Sequence, residues 1–570
     1  MKLELNKRIF SPRSHGDTEE WKFNKLCASV PPWWKSLLLS VFAVSCFAGN
    51  MDATKPNVLL IYYDDMGYGD FGANFPSNPK SLTPNLDSFA EGALRFTNGH
   101  SADGVCSPSR YSLMTGHYSW RTSLKKGVTG GYSKTFLSAD RFTIGKMFQQ
   151  QGYKTAMVGK WHIGMQFFSP DGKPVDLGNT ASVLKKNQID FSKPVLDTPY
   201  HRGGFDYYFG TPASLDMPPY AWLESKNNEV HMLTKGGIVK DGKVDFSQAR
   251  IAKNSDLAEG KRHGRPGVND PTFVFADYLQ VQAQKVSDVI GAREKDGKPF
   301  FIYVPMPAPH APHTVQKQFE GSAGWVYGDY VVQADHYTGE ILKALGDPNN
   351  PKSLAANTIV FITSDNGPEN AAYTSSLKMN HDANGPWAGR KRDSYEGGTR
   401  VPFMVRWPGQ VKPGTTDHPC WQGDFVATMA DALGYKLGAD EAPDAESFMP
   451  VLAGKPMPAA RRAGFIQHSS KGQFAIVDKT GEWKLIDGTG GGGNRKTCDA
   501  DNKETLTIGT LRGTPRQLFN LKKDPGERVN LLSDPSPKSL KKEQELYRLL
   551  NTIRGNKELG TDGSSNVPRK

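Results

Sequence analysis

The chain has little cysteine: five residues in 570, too few for the disulfide framework that holds small exported domains together. It carries no Cys or His spacing of the zinc-binding kind and no internal repeat. Its one long apolar block, SLLLSVFAVSCFAG at 36–49, is shorter than the about 20 residues a membrane-spanning helix needs, so the sequence predicts no stable membrane span. The formal net charge of +11 suits a polyanionic partner. No RNA- or DNA-binding signature accompanies it, which argues against nucleic acid.

What is present is a globular composition, 37% apolar and 11% aromatic, over a length that exceeds a single typical core. From about Lys55 to Pro450, buried-strand runs alternate with helical stretches such as FVFADYLQVQAQKVSDVI and YVVQADHYTGEILKAL. That alternation predicts an α/β fold with a large mixed, mostly parallel sheet sandwiched by helices. After Gly454-Lys455-Pro456 the character changes: FIQHSS, QFAIVD and EWKLID are short β-like runs, and GTGGGG reads as a flexible tip. Leu546, Leu549, Leu550 and Ile553 give a last helix one apolar face. A smaller C-terminal antiparallel sheet plus helix is expected there. The predicted divisions are a leader at 1–52, the main α/β domain at 53–455 with an insert at about 209–271, a small α+β subdomain at 456–557, and a disordered tail at 558–570.

The run Cys106-Ser107-Pro108-Ser109-Arg110 has a physical reading of its own. Pro108 fixes φ and lacks a donor, which suits a first helical turn, and Gly116 offers a stop. Cys106 then lies at the helix entrance, where free N–H groups and the dipole favour an anion. Arg110, four residues on, would point its planar donors at the same anion. A tetrahedral oxyanion fits such a place, although a buried Cys beside a surface Arg is the commoner fate of the same letters.

Two apolar strands end in acids. Val58–Tyr63 runs into Asp64 and Asp65, and Ile359–Thr363 runs towards Asp365, Asn366 and Gly367. In an open α/β sheet, ligands collect beyond the carboxyl ends of parallel strands. Three carboxylates and an amide are hard oxygen donors, which favours Ca²⁺ or Mg²⁺ over zinc. Each segment alone reads equally well as a turn or cap. Three further segments add bases and cations just past strands or in Gly-rich loops: Lys160 and His162 in GKWHIG, His310 in PAPHAPH, and Lys391 in GRKRDSYEGGTRVPF.

In this order, CSPSR, a strand-end Asp-Asp, GKWH, a Pro-His-x-Pro segment, Asp-Asn-Gly, and Lys391 ahead of Tyr395-Glu396-Gly397-Gly398 make the chain resemble a formylglycine-dependent, arylsulfatase-type sulfatase of the alkaline phosphatase-like superfamily. The matching motifs run from Asn57 to about Asn530. The resemblance implies that Cys106 is oxidised to Cα-formylglycine, whose hydrated aldehyde attacks sulfur. It implies a metal, Ca²⁺ before Mg²⁺, on Asp64, Asp65, Asp365, Asn366 and the modified Cys106. Arg110 would orient the diol, Lys160 and Lys391 would clamp the sulfate, His310 would protonate the leaving oxygen, and His162 would take the proton that expels sulfate. His313 is the alternative to His310, and Ala388 stands where many relatives carry Arg, with Arg390 or Arg392 as substitutes.

The implied partners are a sulfated small molecule or glycan as substrate and a formylglycine-generating enzyme for maturation. Tyr220 and Trp222 are candidates for stacking on a sugar or for plain packing. Two other readings are a phosphonate or phosphate ester hydrolase of the same superfamily, and an inactive glycan-binding pseudo-enzyme. Residues 36–49 read as an export signal, so a periplasmic or secreted location is expected. Ala43-Val44-Ser45-Cys46 faintly resembles a lipoprotein box, and export would permit a Cys420–Cys498 disulfide.

Overall fold

The computed structural model describes residues 55–178, 189–233, 250–252, 265, 267–459, 461–493, 510–511 and 514–555. The expected leader and the whole of the expected tail lie outside the described residues, as does Cys498; Cys420 is a buried free thiol. Among the described residues no helix is long and apolar enough to cross a membrane.

Five parallel strands make the centre of the large sheet: β1 (Asn57–Asp64), β2 (Lys154–Lys160), β3 (Tyr207–Thr211), β4 (Phe300–Pro309) and β5 (Thr358–Ser364), in the order β5-β1-β4-β2-β3. β1 shows why its sequence has no polar alternation. Val58, Leu60 and Tyr62 enter one apolar cluster, and Leu59, Ile61 and Tyr63 enter the cluster on the opposite face. Successive side chains of a strand point to opposite faces, so a strand covered on both sides must be apolar throughout. Each fully buried aliphatic there contributes about 1.5–3 kcal/mol, and an Asp at Leu60 or Ile61 would bury an unpaired charge.

One face is covered by α1 (Cys106–Thr115) and α4 (Asp424–Ala432), through residues such as Tyr111, Met114, Phe425 and Met429. The other is covered by α2 (Tyr278–Asp296) and α3 (Val326–Ala344), through Leu279, Val286, Tyr330 and Ile341. The sheet continues beyond β3 as an antiparallel hairpin, Leu223–Lys226 and Glu229–Met232. Part of the stretch read as an inserted loop is therefore sheet. Its signal is Asn227-Asn228, both at positive φ (53° and 66°), the two-residue turn that suits hairpin twist. Tyr220 and Trp222 belong to this region and pack rather than project: Tyr220 is 1% exposed, and Trp222 stacks on Phe209 at 4.6 Å.

A second sheet, β6 (Gly464–His468), β7 (Phe474–Asp478), β8 (Trp483–Asp487) and β9 (Gln517–Asn520), is antiparallel in that order. Helix α5 (Pro537–Arg554) starts at the Ser536 cap, with Pro537 at its first position, and buries Leu546 and Leu550 beside this sheet. Tyr118, Trp120 and Trp421 join Phe465, Ile476 and Leu485 in the same cluster. The small sheet is thus docked on residues of the main domain through a shared apolar core.

Candidate active site

The carboxyl ends of the parallel strands meet at one place. Tyr63 of β1 lies beside Ser364 of β5, so the acids that follow each strand emerge level with one another. The chain turns sharply at Asp65, whose φ is 66°. Its N–H thereby donates to Asp365 Oδ1 at 3.1 Å, and the next N–H, of Met66, donates to Ser364 Oγ at 3.0 Å. β2 ends on Lys160, with His162 two residues on, and β4 delivers His310.

α1 begins at Cys106 and ends at Gly116, whose φ of 62° and N–H bond to Ser112 close the helix as its sequence implies. Val105, extended, offers no side-chain cap, and Cys106 Sγ lies 3.4 Å from Asp64 Oδ1. Arg110 is fully buried one turn later. Its Nε and Nη2 donate to Asp365 Oδ2 at 3.1 and 2.7 Å, and Nη1 donates to the Lys160 carbonyl at 3.3 Å. Such a charge is tolerable only because its fork is filled.

The remaining cations close over the acids. Lys160 Nζ is hydrogen-bonded to Asp64 Oδ2, and Lys391 Nζ to Asp65 Oδ2 at 2.6 Å. Three carboxylates thus face three cations. His310 Nδ1 donates to the Ala311 carbonyl at 2.5 Å, which leaves Nε2, 3.8 Å from Asp65 Oδ2, as the ring's working atom. His162 Nε2 donates to the Thr129 carbonyl at 2.9 Å, and its buried Nδ1 has no hydrogen-bond partner among the described residues. Burial, then the charges of Lys160 and Arg110, lower the His162 pKa well below its ordinary value, so the ring is neutral. Burial and the Asp64 charge raise the Cys106 thiol well above its usual range. As a plain thiol it is a poor nucleophile. Burial opposes ionisation of Asp64, but Lys160, His310 and Arg110 outweigh it and hold the carboxyl low.

The donor set fits a divalent cation. One ligand atom each from Asp64, Asp65, Cys106 and His310 lies within 4.8 Å of the others, all four residues buried. Asn366 directs Nδ2 to Asp65 Oδ1 at 2.7 Å, while its buried Oδ1 has no hydrogen-bond partner among the described residues. An orphaned amide oxygen beside two carboxylates is the chemistry of a hard cation site. All five expected metal-ligating residues are therefore gathered, with Asp365 engaged by Arg110 and His310 inside the tight quartet. His313 instead lies against the rings of Tyr327 and Tyr330. Arg390 packs over Tyr373 at 5.0 Å and Arg392 forks onto Glu369.

Thr129 and Glu369 lie at the site without belonging to any of the motifs. Glu369 follows Asp365-Asn366-Gly367-Pro368, so adjacency is its only signal in the sequence, whereas Arg392 is one of the two arginines expected to substitute for the one absent at Ala388. The GTGGGG run is not a free tip. Ser394 N–H donates to the Gly491 carbonyl at 2.8 Å, and a β-carbon at Gly493 would stand 2.2 Å from the Arg392 carbonyl oxygen. Glycine is there because two backbones touch.

Fold and site together define a hydrolase built for a tetrahedral oxyanion ester. The chain belongs to the sulfatase family: the family model described as Sulfatase matches residues 56–435. An N-acetylgalactosamine-6-O-sulfatase of Bacteroides thetaiotaomicron is 29% identical over 530 residues, covering 88% of this chain and 94% of that one. Arylsulfatase A of Bos taurus is 30% identical over 515 residues, covering 88% of this chain and 89% of its own length. A solved structure from the metabolism of multiple glycosaminoglycans by Bacteroides thetaiotaomicron superposes with a TM-score of 0.68 at 26% identity, covering 88% of this chain and 100% of that one.

Proposed function

We propose that this chain hydrolyses sulfate esters of carbohydrates, working with Cys106 converted to formylglycine and with Ca²⁺ on Asp64, Asp65, Asp365, Asn366 and the modified residue. The observation that carries the reading is the Cys106 sulfur, 3.4 Å from Asp64 Oδ1 in a pocket of buried cations. Its raised pKa makes it idle as a thiol, and its position is where an oxygen nucleophile would be needed; the sulfur stands in for an oxygen of the converted side chain. The cation and the hydrated aldehyde together supply a Lewis acid and an acidified hydroxyl.

The protein's own groups divide the rest of the work. Lys160 and Lys391 pair with the proposed metal ligands Asp64 and Asp65; with a cation on those carboxylates, their ammonium groups would face the sulfate oxygens, whose charge builds in the transition state. Arg110, pinned by Asp365, orients the nucleophile. His310 protonates the leaving oxygen from Nε2, because its Nδ1–H is held by Ala311. His162 accepts a proton at Nδ1, because its Nε2–H is held by Thr129.

The sugar preference is supported by the N-acetylgalactosamine-6-O-sulfatase relative and by the basic charge, which suits a sulfated glycan; export is supported by the apolar leader. Maturation requires a formylglycine-generating enzyme as partner. Paired assays with an aryl sulfate and the matching aryl phosphate test the reaction class. Sulfate turnover at least about 100-fold above phosphate turnover, a gap of about 2.7 kcal/mol, is expected; the reverse order would sink it.

A further inference from the structure

Immediately after Lys391 the backbone does something a residue with a β-carbon resists. Arg392 has a φ of 84°, in the region that favours glycine and strains residues with a β-carbon. Three segments hold it there. Its N–H donates to the Gly104 carbonyl at 2.6 Å, its own carbonyl accepts from Ser470 N–H at 3.0 Å, and Gly493 presses on that carbonyl. Gly104 belongs to the loop that leads into Cys106, so the turn is tied to the nucleophile.

The turn places the Arg392 guanidinium against Glu369. Nη1 and Nη2 donate to Oε1 and Oε2, each at 2.6 Å, and Glu369 Oε2 is also 3.7 Å from Lys391 Nζ. Arg110, Lys160 and Asp64 side chains are 0% exposed and Lys391 is 5% exposed, whereas Glu369 is 17% and Arg392 38% exposed. The pair therefore faces solvent beside a sealed anion site. Arg392 also lies within electrostatic reach of Asp65 and Cys106.

A guanidinium has five N–H donors, and Glu369 takes two of Arg392's. The other three meet no acceptor among the described residues; on Glu369, Oε1 also accepts from the Asn370 N–H at 2.9 Å, which leaves the spare lone pair on Oε2. The pair is close to neutral as a unit, so it offers a second anion little. What it matches is a group that accepts and donates side by side, as neighbouring hydroxyls on a sugar ring do.

We propose that Arg392 and Glu369 are specificity-determining residues that bind ring hydroxyls next to the sulfate ester, Arg392 donating to one oxygen and Glu369 accepting from the other. This rests on the sulfatase reading above and assigns the alcohol half of the substrate, as the lysines and Arg110 serve the sulfate half.

The test compares matured wild type with Arg392→Gly, since glycine accepts the φ of 84°, and with Glu369→Gln. The substrates are 4-nitrophenyl sulfate and the best substrate from a panel of monosulfated hexoses and hexosamines. Hydrogen bonds to charged groups are among the stronger ones, so the ratio of kcat/KM for sugar ester over aryl ester should fall at least about 10-fold in each variant, mostly through KM. Removing the neighbouring hydroxyl from the sugar should cost wild type a similar factor and cost the variants little. If Arg392→Gly does not fold, Arg392→Lys, which keeps charge but not the fork, carries the same comparison. An equal loss on both esters would mean the pair only positions Lys391, and would overturn the proposal, as would an unchanged ratio. Wild type that turns over the aryl ester but no sugar ester overturns it too. Wild type that turns over neither overturns the sulfatase reading, and this inference with it.

Discussion

His162 Nε2 donates to the carbonyl of Thr129 at 2.9 Å, which fixes the tautomer of the ring and leaves Nδ1 as a lone pair inside the site. A carbonyl only accepts, so the proton is assigned by chemistry. Replacing His162 by Ala removes a base that burial keeps neutral. The expected result is a fall in kcat of about 10²–10⁴ with KM changed far less. Because the folded pKa is depressed, wild type should retain its base form below the ordinary histidine range. Steady-state kinetics from pH 5 to 8 check both; an acidic limb at or above 6.5, the ordinary value, would contradict the neutral ring.

His310 predicts a dependence on leaving group. Its Nε2, freed by the Nδ1 bond to Ala311, is placed to protonate the departing oxygen. A phenolate leaves easily without a proton and a sugar alkoxide does not. His310→Ala should therefore lose at least about 10-fold more kcat on a sugar sulfate than on a nitrophenyl sulfate, within the 10²–10⁴ span of general acid catalysis. Equal losses would move His310 to another role.

Metal removal has a stated direction. Asp64 and Asp65 have counter-charges of their own in Lys160 and Lys391, so loss of the cation should leave the protein folded but inactive. Chelation should abolish turnover, and Ca²⁺ should restore it better than Mg²⁺, because a carboxylate-rich protein cage suits the larger ion. Asn366→Ala should weaken metal affinity, and should lower the metal-free melting temperature only by the loss of its Nδ2 hydrogen bonds to Asp65 and Gly367. Mg²⁺ restoring activity at lower concentration than Ca²⁺ would reverse the assignment.

A second buried network carries a pH prediction. Lys484 Nζ sits 2.9 Å from both Glu396 and Glu527, all side chains 0% exposed, and Glu396 N–H donates to Glu527 at 2.6 Å. Burial, with the Glu396 charge added and Lys484 opposing, raises Glu527 from 4.5 to about 8. A carboxyl raised on folding contributes stability that is complete below its unfolded value and lost as pH rises through the folded one. Wild type should lose about 4 kcal/mol between pH 5 and 8.5 from this group, and Glu527→Gln should flatten that slope. Urea midpoints at the two pH values decide; a Glu527→Gln slope as steep as that of wild type would contradict the raised Glu527 carboxyl.

The strand ends and the nucleophile helix were legible in the sequence because each is written locally. A short run such as Val58–Tyr63, apolar throughout and too brief for a typical helix, reads as a strand covered on both faces, and its acids then fall at a carboxyl edge. Pro108 and Gly116 bracket α1 in the same local way. What could not be read depends on distant backbones meeting. Arg392 is set by Gly104, Ser470 and Gly493, and Thr129 matters only because GKWH folds beside it. The hairpin at Asn227-Asn228 did have a local signal, overlooked because its surroundings are polar and Gly-rich.

The account stands on Cys106 being converted. The tryptic peptide that ends at Arg110 and contains Cys106 should, in active protein, weigh about 18 Da less than its thiol form before hydration, as loss of the thiol and gain of an aldehyde require. Sulfatase activity should rise in proportion to that fraction, and Cys106→Ala should have none. An active preparation in which the peptide carries only the unmodified thiol would contradict the account at its centre.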